Sequence, residues 1–194
     1  MGVIAISGEA ASGKTTIARL LAWKLGYRAV SIGELFRKVA QERGVSLIEL
    51  HRLAETDHSI DRMVDSYALE EAKAGNVVVE GHLAAWILKD IADIKVYLKA
   101  NEDIRAARLA NRDGRNISDA MSEIRAREGS NRKRYKDIYG FDVRDLSIFD
   151  LVIDTTRIDP PNVLGVILEY VKQLIPSPAL SEDYSSGFKR ERTR

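Results

Sequence analysis

Cysteine is absent from the 194 residues, which excludes disulfides, thiolate metal sites and cysteine nucleophiles and fits a reducing compartment. Long apolar runs are missing too. None approaches the ~20 residues of a membrane span, and no basic region followed by a signal-type apolar segment opens the chain. Neither sign of charge is in excess: 30 Lys and Arg face 29 Asp and Glu, for a net charge of +1, so nothing implies wholesale binding to nucleic acid or to a membrane surface. Internal repeats and low-complexity segments do not occur. What remains, 45% hydrophobic and 30% charged, is the composition of an ordinary soluble domain with ample material for one core. Strand-like residues begin almost at Met1, leaving no room for a leader, and a cytoplasmic protein is expected.

The stretch Gly8-Glu9-Ala10-Ala11-Ser12-Gly13-Lys14-Thr15 meets the pattern G-x-x-x-x-G-K-[ST] at every fixed position. Val3-Ile4-Ala5-Ile6-Ser7 before it suits a buried parallel strand. Ile17, Leu20, Leu21 and Leu25 after it recur with helical spacing, so a helix begins inside the motif. Phosphate chemistry needs this arrangement. Gly8 and Gly13 can take backbone angles closed to other residues, which turns successive N–H groups inward around an anion. The helix N-terminus adds unpaired N–H groups and its positive dipole end. Lys14 supplies a point charge for the β- and γ-phosphates, and the Thr15 hydroxyl a ligand for Mg²⁺. A strand-to-helix turn that binds nothing is the alternative, and the agreement of motif, strand and helix argues against it.

Further along, short strands are expected at Tyr27–Ile32, Val77–Val79, Ile94–Leu98 and Leu151–Ile153. Between them lie helical stretches: residues 34–40, one opened by a Ser46…Glu49 capping box, one over 59–74 with an apolar stripe of Ile60, Met63, Val64, Tyr67, Ala68 and Ala72, and a short one over 83–89. Asn101 is placed to cap a helix running to Arg112, Asn116 to open another running to Tyr139, and Asp159-Pro160 to open a last one. The alternation predicts an α/β doubly wound parallel sheet of five strands. One domain is expected over 1–175, with helical excursions at 34–74 and about 113–135 that cover the phosphate loop. Residues 176–194, rich in Ser, Pro and charge, are expected to form a disordered basic tail.

A phosphate loop alone does not select among kinases, GTPases, ATPase motors and sulfotransferases; the basic residues must. Arg105, Arg108 and Arg112 share one helix face, as do Arg127, Asn131 and Arg134 on the next helix. The apolar stripe of that second helix is interrupted by Glu128 and Asn131, as in a mobile lid. The competing reading is a solvated face with local pairs such as Glu123–Arg127, though exposed pairs contribute little stability. Bidentate guanidinium groups could instead neutralise charge on a transferring phosphoryl group.

Four blocks resemble the short, archaeal-type cytidylate kinases of the P-loop nucleoside monophosphate kinases: Gly8–Thr16, Ser31–Arg37, Glu80–Trp86, and Arg134–Gly140 continued by Asp145–Ile153. They stand in that family's order and cover roughly residues 2–175. The resemblance implies a core with a nucleotide-binding insertion and an arginine-bearing lid, ATP with Mg²⁺ as donor, and CMP or dCMP as acceptor. It implies donor contacts from Gly8 to Thr16 (Gly8, Glu9, Ala10, Ala11, Ser12, Gly13, Lys14, Thr15, Thr16), to which Arg108 and Arg112, from their shared helix face, are expected to add. Acceptor contacts fall to Ser31, Arg37, Arg62, Gly81 and Asn131, catalytic charge to Lys14, Arg127 and Arg134, and Mg²⁺ to Thr15 and, through water, Glu80. Arg62 has an i,i+3 pair with Asp65 as its alternative. The chain departs from the family at Ala11, where glycine is common, at His82, where an arginine follows Glu-Gly, and at Asn131, where an acid is usual. His51 and His58 stand on polar helix positions that need no function. A monomer without nucleic acid as its main partner is expected. A kinase for another nucleoside monophosphate or small metabolite is the nearest rival, and a nucleic-acid-associated ATPase using the basic tail is a more distant one.

Overall fold

The computed structural model describes residues 2–175; the expected tail at 176–194 lies outside them. Five strands, β1 (Val3–Gly8), β2 (Arg28–Ser31), β3 (Val77–Glu80), β4 (Ile94–Lys99) and β5 (Leu151–Asp154), form one parallel sheet in the order β2-β3-β1-β4-β5. β1 lies at the centre because its side chains are apolar on both faces. Ile4 and Ile6 point into a core with α1 (Lys14–Leu25) and α8 (Pro160–Leu174). Val3 and Ala5 point into a second core with α4 (Ser59–Lys73) and α5 (Ala84–Ile87). The period of two along the strand thus builds a three-layer sandwich.

The strand order runs outward from β1 in both directions, to β3 on one side and to β4 on the other. Gly8, Glu80 and the loop after Glu80 therefore meet at one carboxyl edge, where open parallel sheets bind ligands. Gly8 permits this closeness: a Cβ there would stand 2.0 Å from the Leu98 carbonyl oxygen. Gly81 is similarly constrained, since a Cβ would meet Ile32 at 2.8 Å.

The excursion between β2 and β3 folds as α2 (Ile32–Glu42), α3 (Leu47–Ala54) and α4, closed around Phe36, Val39, Leu50, Ile60 and Val64. Ser46 and Glu49 make the expected reciprocal capping box at the start of α3. On the other side of the sheet edge, α6 (Glu102–Asp113) packs against α7 (Ile117–Tyr139) through Ala106, Leu109, Ala110, Ala120 and Ile124, with Ala10 of the loop joining them. Asn116 caps α7 and Asp159 caps α8 as expected, whereas Asn101 precedes α6 without a side-chain cap.

Two expected stripes differ from the observed ones. On α4, Met63 and Tyr67 are exposed, and the inward positions beside Ile60 and Val64 are instead the carboxylates Asp61 and Asp65. On α7 the inward face does not stop at Glu128 and Asn131; it continues from Ala120 and Ile124 through them to Arg134 and Tyr135. The helix is amphipathic throughout, with a polar middle that faces the sheet edge rather than solvent.

Candidate active site

The loop between β1 and α1 supplies the first wall. Gly13 caps α1 in a left-handed conformation, φ 99°, and no side chain bonds the first-turn N–H groups. Those donors open into a cleft of about 820 Å³ lined by the loop from Ala10 to Thr16. Lys14 is only 8% exposed and donates to the Glu9 carbonyl at 2.5 Å. Burial lowers its pKa from 10.5 to about 8, against the pull of Glu80. Gly8 and Glu9 do not line this cleft: Glu9 turns its carboxylate to the Ala100 N–H at 2.9 Å and to Arg105 at 3.3 Å.

The end of β3 supplies the second wall. The buried Glu80 carboxylate accepts from Thr15 Oγ1 at 2.8 Å, and the same oxygen accepts from Ser31 Oγ. A hydroxyl and a carboxylate side by side, both hard oxygen donors, fit an octahedral Mg²⁺ that keeps waters and borrows substrate phosphate oxygens. Among the described residues no group of three or more His, Cys, Asp or Glu could hold a metal by itself. His82, next to Gly81, is held neutral: burial lowers its pKa well below 6.5, and the charges of Lys14 and Arg127 add to that.

Arginines form the rest. Arg37 of α2 lines the cleft and, among the described residues, makes no hydrogen bond or ion pair. Arg127 of α7 is nearly buried and paired with Glu123 at 3.1 Å, the pair foreseen as a solvated one. Its Nε has no partner. Burial, and the positive neighbours Arg37 and Arg112, lower its pKa despite Glu123. Arg108 grips Thr155, donating to Oγ1 at 3.0 Å and to the carbonyl at 2.6 Å, and lines the cleft with Arg112, Ile158 and Pro160. Arg105, on the same helix face, is structural and bound to Ala10, Ala100 and Glu128. Arg62 is exposed and lies outside the cleft; Asp65, its supposed partner, accepts from Tyr139 Oη at 2.5 Å instead.

Arg134 departs most from expectation. It is 1% exposed and all its donors are engaged: Asp61 takes Nε at 2.7 Å and Nη2 at 3.2 Å, while His51 Nδ1 and Ser130 Oγ each take Nη1 at 2.9 Å. Asn131 Oδ1 takes the remaining Nη2 donor at 2.9 Å. A guanidinium has five N–H groups and no acceptor, so in this conformation none is left for a phosphate. Arg134 is a brace between α7 and the excursion. His51 Nδ1 must then be the acceptor, so the ring is neutral with its proton on Nε2; burial and Arg134 lower its pKa to about 3. His51, expected on a polar position without function, Asp65, expected only as the alternative partner of Arg62, and Asp61, not singled out, all line the cleft. Burial raises both carboxyl pKa values, that of Asp65 to about 7.

Unpartnered buried atoms point to where a ligand belongs. Among the described residues, four buried side-chain atoms lack hydrogen bonds: Ser12 Oγ, Arg127 Nε and Asn131 Nδ2, whose residues all line the cleft, and Arg115 Nε, which lies outside it. A buried donor without a partner costs about 1–3 kcal/mol, which a bound polar molecule would recover.

Comparison with known proteins decides the family. A family model described as "AAA domain" matches residues 4–133. A cytidylate kinase of Pyrobaculum aerophilum is 52% identical over 170 residues, which is 88% of this chain and 92% of that one. One of Pyrococcus furiosus is 45% identical over 174 residues, 90% of either chain. The chain belongs to the cytidylate kinase family. Solved structures extend the fold beyond it. An uncharacterized protein from Eubacterium ventriosum superposes with a TM-score of 0.69 at 20% identity, covering 89% of this chain and 99% of that one. A gluconokinase from Sinorhizobium meliloti follows with 0.61 at 17%, covering 89% and 93%. Ala11, His82 and Asn131, where the resemblance led to other residues being expected, all line this cleft.

Proposed function

We propose that the protein transfers the γ-phosphoryl group of ATP to CMP or dCMP, giving ADP and CDP or dCDP. One observation carries the reading: a single cleft runs from an uncapped phosphate loop to a pocket of Asp65, His51 and Asn131, with Lys14, Arg37 and Arg127 between. The helices α2–α4 are then the acceptor insertion and α7 the lid. ATP lies with its triphosphate along Gly13–Thr16 and its base toward Arg108, Arg112, Ile158 and Pro160. CMP lies beneath α2 and α3 with its phosphate on Arg37, the cleft's unpaired guanidinium.

An oxygen of the CMP phosphate forms the new bond to the γ-phosphorus while the bond from that phosphorus to the β,γ-bridging oxygen breaks. The acceptor oxygen is already ionised near neutral pH, because the second phosphate pKa is about 6, so no general base is required. Lys14 and Arg127 neutralise charge on the moving group, and the buried walls keep water from intercepting it. Thr15 and, through water, Glu80 would hold Mg²⁺, which supplies charge neutralisation between the β- and γ-phosphates when bound. No helix among the described residues is long and apolar enough to cross a membrane. We further propose that the protein acts on small molecules as a cytoplasmic monomer.

The test is an acceptor screen with ATP and Mg²⁺ over the common nucleoside monophosphates and sugar and shikimate-type alcohols. CDP formation at the highest kcat/KM is expected. Preference for another acceptor, or ATP hydrolysis without one, would overturn the reading.

A further inference from the structure

Ala11 holds φ 59°, the left-handed region in which a residue with a Cβ is strained and glycine is not. Such a conformation persists only where its surroundings enforce it. They do so here through the preceding residue. The Ala10 N–H donates to Glu128 Oε1 at 2.9 Å, and the Ala10 carbonyl accepts from Arg105 Nη1 at 3.2 Å. Arg105 and Glu128 are themselves paired at 2.6 Å, and Arg105 is anchored below by the Ala100 carbonyl and by Glu9. Both peptide groups of Ala10 are thus gripped from outside the loop by one ion pair that joins α6 to α7. Glu128 is also the residue after Arg127, so the bond that fixes the loop fixes the height at which α7 presents Arg127 to the cleft.

We propose that Glu128 is a positioning residue: with Arg105 it clamps the phosphate loop at Ala10, holds the strained Ala11 turn in its phosphate-binding form, and registers Arg127 against that loop. It touches no substrate. A loop with glycine at position 11 would need the clamp less, and this dependence separates the proposal from a general packing role. The inference rests on the reading of the cleft as an ATP site, and ADP binding checks that reading independently of the acceptor.

The experiment titrates ADP into the wild type, Glu128→Ala, Glu128→Gln, Ala11→Gly and the double variant Ala11→Gly/Glu128→Ala. Thermal melts accompany each titration, and kcat and KM are measured for both substrates. Glu128→Ala should weaken ADP binding about tenfold, the effect of a lost charge-assisted bond. It should lower kcat as Arg127 loses its register, with the KM for CMP within about twofold of wild type. Glu128→Gln, whose amide oxygen can still accept from Ala10, should recover most of the ADP affinity. Ala11→Gly should restore about fivefold of what Glu128→Ala loses, because the left-handed turn then forms without strain. A wild type that does not bind ADP overturns the site reading itself. A wild type that binds ADP while Glu128→Ala binds it equally overturns the clamp. Equal losses with alanine and with glycine at position 11 do so too, since they would leave Glu128 as ordinary packing between α6 and α7.

Discussion

At the scale of single residues, the phosphate loop was legible because its chemistry demands fixed residue types at fixed spacing. Lys14→Ala should reduce turnover by at least about a hundredfold with the fold retained, since the lysine sits at the loop and its burial is a cost to the folded chain; steady-state kinetics and a circular-dichroism melt check both halves. Arg37 and Arg127 should divide the work. Arg37 lines the cleft without a hydrogen bond or ion pair among the described residues; if it holds the acceptor in ground and transition states alike, as proposed, Arg37→Ala should chiefly raise the KM for CMP. If Arg127, with its free Nε, meets the moving group as proposed, Arg127→Ala should chiefly lower kcat, by about 30- to 1000-fold. Equal effects of both variants on kcat would sink that division. The residues that sequence reasoning missed are polar ones on apolar stripes. Asp61 and Asp65 stand beside Ile60 and Val64 at the same four-residue interval, a signal readable only if a carboxylate is allowed to face inward. Their burial has a pH signature. The Asp65 carboxyl, raised from 3.8 to about 7, stabilises the fold at low pH and loses that contribution as pH rises through 7. The His51 ring, lowered from 6.5 to about 3, stabilises the fold above 6.5 and loses that as pH falls toward 3. Between about pH 4 and 6.5 the two oppose each other, each with a slope near 1.4 kcal/mol per pH unit. Asp65→Asn removes one side, so its melting temperature should fall more steeply than that of wild type on acidification from about pH 6.5 to 4.5. Parallel profiles would refute the assignment.

At the scale of elements, helix starts were legible where a capping side chain set them: the Ser46 capping box, Asn116, and Asp159 with Pro160. The role of α7 was not, because it depends on partners distant in sequence. A helix with Glu128, Asn131 and Arg134 in its middle reads locally as a loosely held lid. Folded, each of those residues meets a partner supplied by the loop, by α4 or by α7 itself, and the polar middle is as well fixed as an apolar one. Ser130 donates to the His51 carbonyl at 3.2 Å and Lys133 pairs with Glu55 at 3.1 Å, so the attachment extends to α3 and the residue that ends it. The Arg134–Asp61 pair is its buried centre. Removing one member strands the other charge without water. Arg134→Ala or Asp61→Ala should therefore cost about 3–5 kcal/mol by urea unfolding. Replacing both by leucine should cost clearly less than the sum, because no bare charge remains. Strict additivity would show that the pair is not coupled.

For the molecule as a whole, the sequence led to two covers, the excursion and the lid, with Gly33, Gly75 and Gly114 at or near their ends. The five strands and their buried character follow from apolar runs and their periods, which are local. How the covers relate to each other is a matter of tertiary contacts, which are not. Gly33 lies inside α2 with no left-handed turn, while Gly75 and Gly114 do take positive φ values of 68° and 64°. The bonds from α7 to α3 and α4 fasten lid and excursion together, so the two should move as one body against the sheet rather than as independent flaps. Either nucleotide alone should then slow amide exchange in both segments. ADP, binding at the loop, should protect residues 47–54 of α3, which it does not touch, and CMP should protect residues 123–135 of α7. Arg134→Ala, at reduced temperature so that the fold is retained, should confine each nucleotide's protection to its own side of the cleft. Exchange that changes only beside the bound nucleotide in the wild type would mean that the buried brace carries stability alone, and that closure is not shared.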